Sequence, residues 1–187
     1  MPALLAPLLL FAPAAVQEGK NTNSDAAVLA ELDAFWAEAS RTVAEGDFDG
    51  YAALYHPDAV LVNGIEGRSY PIADAFERWK PGFTATRAGS LTARVEFRLT
   101  DRLTGPTTAH EAGLFRYAAG PVGGTTPRVA VVRFEALLVK TGDPASPGGG
   151  WRWVMEKQSA EATEEDWAAA GSGGDPPGGD GPAGDAD

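Results

Sequence analysis

The 187-residue sequence contains no cysteine, which excludes disulfides, thiol nucleophiles, iron–sulfur clusters and thiolate zinc sites. Histidine is nearly as scarce. His56 and His110 are the only two, too few for a histidine-rich metal centre, so neither a metal nor a cofactor is expected. Basic runs are missing as well: 15 Lys and Arg stand against 26 Asp and Glu, a net charge of −11. That balance argues against nucleic acid and anionic membrane as partners, because both are recognised through clustered cations.

Charge is also absent from residues 1–16, where Leu4 to Val16 is apolar but for its prolines. This run is shorter than the roughly 20 residues of a spanning helix and reads as the core of a signal peptide. Ala12-Pro13-Ala14 predicts cleavage near Ala14 or Ala15 and export to the periplasm or the medium. No basic residue precedes the run and Pro7 interrupts it, so a disordered N-terminus on a cytoplasmic protein is the alternative. The other end, 169–187, is rich in Gly, Pro and Asp and lacks large apolar side chains. It cannot bury enough surface to offset its chain entropy and is expected to be disordered. Between the ends, residues 24–168 have the size of one ordinary domain with a core of its own.

Within that body, Val28, Leu32, Phe35, Trp36, Ala39 and Val43 recur every three or four residues, a helical stripe that Ser24 would cap and Gly46 would stop. A short helix capped by Asp47 follows, then a break at His56-Pro57-Asp58 and a short strand from Ala59 to Asn63. A third helix starts at Pro71, with Ile72, Phe76 and Trp79 inward, and is expected to end at Pro81-Gly82. From Leu91 the period changes to two. Long strands are expected over about 91–100, 107–117, 128–140 and 151–159. Thr163-Glu164-Glu165-Asp166 resembles a capping box, with a last helical turn near Trp167. Helices followed by an antiparallel meander predict an α+β fold.

The order and spacing of Ala44-Glu45-Gly46-Asp47, Leu54-Tyr55-His56-Pro57-Asp58-Ala59-Val60-Leu61-Val62, Gly67, the Phe76–Trp79 helix and Gly150-Trp151-Arg152-Trp153-Val154 resemble the nuclear transport factor 2-like superfamily, in its SnoaL-like and ketosteroid-isomerase-like bacterial branch. The resemblance spans about residues 25–160. It implies a cone-shaped α+β barrel, three N-terminal helices packed on a strongly curved, mostly antiparallel sheet, with an apolar cavity at its mouth. It also implies a homodimer formed through the outer sheet face. Ketosteroid isomerases of this branch use a carboxylate base, a helix tyrosine and a protonated acid. Those positions fall here on Asn63, about Ala39, and near Ala136 with Glu135 one register step away. None of Asn63, Ala39 and Ala136 can do that chemistry.

The remaining acid/base candidates are His110 and Glu111, which as strand neighbours point to opposite faces. Trp36, Tyr55, Leu61, Trp79, Phe83, Phe97, Phe134 and Trp153 are expected to line a ligand pocket, with Asn63 orienting the ligand at its mouth. Three functions follow as expectations. The first is an exported domain that binds a small apolar molecule without catalysis. The second is a SnoaL-like cyclase, isomerase or dehydratase using Glu111 or His110. The third is a structural dimerisation module.

Overall fold

The three-and-four spacing of apolar residues produces one buried face of a long helix, α1 (Thr22–Glu45), in the computed structural model, which describes residues 22–171 apart from 125, 142 and 144. The N-terminal run of 1–16 and the tail from 172 lie outside the described residues. α1 starts two residues ahead of Ser24, a boundary difference ordinary for helix ends. It stops at Gly46, whose φ is +67°. A Cβ there would lie 2.4 Å from the Arg87 nitrogen, so glycine alone lets the end of α1 meet the end of the third helix. Asp47 caps α2 (Phe48–Ala52) by accepting from the Gly50 amide.

The first strand, β1 (Tyr55–Asn63), begins earlier than expected. The stretch through His56-Pro57-Asp58 lies at a register irregularity between Tyr55 and Val60, where the missing proline amide takes nothing from the ladder. A four-residue edge strand that the sequence pattern had not announced, β2 (Arg68–Pro71), pairs antiparallel with β1. The third helix, α3 (Ile72–Arg87), does not end at Pro81-Gly82 but runs through them. An interior proline costs about 3 kcal/mol. Packing offsets it here, because continuing the helix seats Phe83 against Phe48 and Tyr51, with ring centroids 5.6 and 5.1 Å apart. Phe83 is therefore a helix residue facing the cavity.

Four long strands follow: β3 (Leu91–Thr104), β4 (Thr108–Pro121), β5 (Arg128–Lys140) and β6 (Trp151–Ala162). The strand order is β2-β1-β6-β5-β4-β3, with β1 parallel to β6 and every other pair antiparallel. The sheet is curved and unclosed, an open cone wall instead of a full barrel. Its inner face meets α1 through Leu32, Phe35, Trp36, Phe134, Leu138, Trp151 and Trp153, all buried. On the outer face a last helix, α4 (Glu164–Ala169), lies behind a true capping box of Thr163 and Asp166 and buries Trp167 against Leu114 and Val131.

Of three β-bulges in the meander, the one in β3 and the first of the two in β6 decide which polar groups face inward. β3 carries an extra residue between Leu99 and Asp101. Gly113 lies opposite, where a Cβ would come within 2.0 Å of the Arg98 carbonyl oxygen. β6 carries one at Val154, since Leu138 pairs with Trp153 but Leu137 pairs with Met155. Strict alternation would turn Leu103 and Met155 inward; each bulge reverses the phase and turns Arg102 and Glu156 inward instead.

Candidate functional site

Between the helices and the inner face of the sheet lies a cavity of about 410 Å³. Trp36, Phe97, Phe134 and Trp153 form its wall, with Trp36 in ring contact with the other three at 4.6, 5.5 and 5.2 Å. α3 contributes Trp79 and Phe83, and it also brings Arg78 and Thr86. Trp79, Phe83 and Thr86, four and three residues apart, follow one side of the helix, with Arg78 beside it.

One carboxyl group opens on this apolar space. Glu156 is only 8% exposed, yet it lines the cavity together with Gln158. Its Oε2 accepts from the Tyr55 hydroxyl at 2.6 Å and its Oε1 from the Gln158 amide at 2.8 Å. The Tyr51 and Tyr55 hydroxyls are 3.3 Å apart. Because Tyr55 spends its proton on Glu156, its oxygen accepts from Tyr51, giving a relay from Tyr51 through Tyr55 to the acid. Burial raises the Glu156 carboxyl above the ordinary glutamate value, against the lowering effect of its hydrogen bonds from Tyr55 and Gln158. The acid thus keeps its proton to higher pH than a surface glutamate. Both tyrosines are pushed upward too, first by burial and then by the nearby Glu156 charge.

A single register row crosses the sheet through this site. Arg102, Glu111, Ala136, Glu156, Leu61 and Tyr70 are consecutive cross-strand partners from β3 to β2. Glu111, fully buried, accepts from the Trp36 indole N–H at 2.5 Å and from Arg102 Nε at 2.5 Å. Arg102 also donates to Asp33 at 2.6 Å. Burial opposes the Arg102 charge, but its hydrogen bond to Glu111 and the charges of Glu111 and Asp33 overcome that and raise its pKa.

No protein-family model matches this sequence, and no curated protein does. Solved structures do. ActVI-ORFA from Streptomyces coelicolor is 15% identical, with 72% of this chain and 97% of that one covered at a TM-score of 0.51. A structure from Catenulispora acidiphila is 21% identical over 78% and 98% at 0.51. A nuclear transport factor 2-like superfamily protein from Salmonella enterica is 11% identical over 76% and 94% at 0.47. This chain shares its fold with the ActVI-ORFA and Catenulispora acidiphila structures.

Within this fold the residues singled out from sequence separate into two groups. Trp36, Trp79, Phe83, Phe97, Phe134 and Trp153 meet around one cavity. Tyr55, Leu61 and Asn63 do not line it. Tyr55 stands behind Glu156, and Leu61 is packed in the core. Asn63 ends β1, where its Oδ1 accepts from the Glu66 amide at 2.9 Å and closes a turn away from the cavity lining. Neither acid/base candidate reaches the cavity either. Glu111 faces inward but is enclosed by Trp36 and Arg102, and His110 is on the outer face, 3.6 Å from Glu135. Arg133 and Glu135 share that outer face without pairing with each other: Arg133 holds Asp166 and Glu135 holds Lys157. Glu156 was missed because alternation from Trp151 and Trp153 assigns it to the outside. The only trace in the sequence is the three apolar residues Trp153-Val154-Met155 in succession, one more than alternation permits.

Proposed function

We propose that this chain binds a small, mostly apolar molecule in the 410 Å³ cavity, with the Glu156 acid and Gln158 orienting it. The observation that carries this reading is an aromatic-walled hollow with one buried, hydrogen-bonded carboxyl opening into it. Pockets of about 300–1,000 Å³ with apolar walls and a few placed polar groups are the usual form of small-ligand sites. A thermal-shift screen of apolar small molecules on the full chain tests it. A ligand at about 100 times its Kd adds about 2.7 kcal/mol, or roughly 5–10 °C for a domain of this size. Ala130→Trp, which obstructs the cavity from β5, should remove the shift. If no molecule moves the midpoint, the reading fails.

A second reading, a cyclase, isomerase or dehydratase, draws support from the Tyr51–Tyr55–Glu156 relay. The acid would then be Glu156, in place of Glu111 or His110. Glu156→Gln keeps the shape of the site and would abolish turnover while leaving a ligand able to bind.

We also propose that the chain pairs with a second copy, through the outer sheet face. The support is a row of outward cross-strand neighbours, Leu103, His110, Leu137, Met155 and Val60, in which Leu103 is 63% exposed and Leu137 and Val60 39% each. Leu137→Lys should convert a sedimenting dimer to a monomer. A dimer whose cavity takes no ligand would favour the structural-module reading. Export is supported by the uncharged residues 1–16, and an intact Met1 on protein recovered from a bacterial host would refute it.

A further inference from the structure

One of the polar groups on the cavity wall is a cation. Arg78 lines the cavity from α3, with its guanidinium 4.4 Å from the centre of the Tyr70 ring. Tyr70 is the far member of the row that runs Glu156–Leu61–Tyr70, and directly opposed strand residues point to the same face. Two strand spacings, about 10 Å, separate the Tyr70 and Glu156 backbones. The Arg78 side chain, laid over Tyr70, therefore belongs to the same end of the hollow as Glu156 and Gln158. The opposite wall, built by Val95, Phe97, Phe115 and Phe134, is apolar except for Tyr117 beside Val95. Six other arginines of this acidic chain, Arg41, Arg68, Arg87, Arg102, Arg116 and Arg133, hold carboxylates, whereas Arg78 pairs with no acid among the described residues. Stacking on Tyr70 fixes the plane of the guanidinium and leaves its N–H edge free for a planar acceptor.

We infer that the ligand is an organic carboxylate: an apolar ring body against the phenylalanine wall, with its anionic end held by Arg78 and by the Glu156–Gln158 pair. This rests on the ligand-binding reading and narrows its chemistry. A neutral Glu156 donates a hydrogen bond to one carboxylate oxygen, which a charged one would repel. Arg78 supplies the countercharge that a second acid in the site requires.

The test is a pair of matched probes, 2-naphthoate and its neutral relative 2-acetylnaphthalene, titrated calorimetrically into the full chain. A charge-assisted hydrogen bond to the carboxylate should make the acid bind about tenfold tighter than the ketone. In Arg78→Gln, checked for folding by circular dichroism, that ratio should collapse to near one, and Arg78→Lys should restore part of it. A ratio near one in the unaltered chain, or about tenfold in Arg78→Gln, overturns the carboxylate assignment and leaves the cavity as a site for neutral molecules. If neither probe binds while the thermal-shift screen finds a neutral ligand, the carboxylate assignment falls and the ligand-binding reading stands; if the screen finds none, both fall.

Discussion

Glu111 and Glu156 occupy one row of the sheet with only Ala136 between them, and both are almost without solvent. Their partners differ. Glu111 meets a guanidinium and an indole N–H, so its charge is matched where it is buried. Glu156 meets a phenol and an amide and no cation, and its carboxyl is driven toward the neutral form. Side by side they show that burial alone does not make a functional acid. A paired carboxylate serves as a strut, fixing Trp36 in the cavity wall, while the unmatched one opens on the cavity with its pKa raised by burial.

Breaking the strut should have the largest effect. Glu111→Ala leaves the Arg102 charge enclosed without its buried partner and the Trp36 indole without an acceptor, a loss of about 3–5 kcal/mol. It would be read from the urea midpoint at unchanged slope, and a loss under about 1 kcal/mol would contradict the assignment. Trp36→Phe retains a ring in the wall but removes one donor to Glu111, and should cost about 1–3 kcal/mol by the same measurement. Tyr55→Phe weakens the other member of the comparison by about 0.5–1.5 kcal/mol. The Tyr55 bond holds the Glu156 carboxyl down, so this variant should titrate at still higher pH by carboxyl NMR.

The subtlest contrast is in pH. A carboxyl whose folded pKa lies above its unfolded value binds more protons when folded, so stability falls as pH rises from the ordinary glutamate value of 4.5 through the raised one. Glu156→Gln should remove that decline, making the variant gain on the parent chain in melting temperature as pH increases. Parallel curves would show that Glu156 is not the group responsible.

Much of the frame was legible because it depends on local chemistry. The α1 stripe, the Gly46 stop, the Asp47 cap and the Thr163–Asp166 box each rest on residues a few positions apart. The inward face of β5 followed from unbroken alternation, with Val132, Phe134, Ala136 and Leu138 all buried. The pattern failed where distant packing decides. α3 passes Pro81 to seat Phe83, and β2 exists because β1 offers it an edge. The acid of the site was hidden by a single inserted residue, since a bulge shows itself only through the partner strand's register.

A strand thrown out of step by one position trades its sides, and both surfaces receive what the other gives up. The kinks at Thr100 and Val154 bring a guanidinium and a carboxyl to the inner face, only the carboxyl reaching the hollow, and send Leu103 and Met155 to the exterior. The greasy belt on the outside is thus the obverse of the polar lining within. A chain that lost the kink at Val154 would turn Glu156 outward and Met155 inward in the same event.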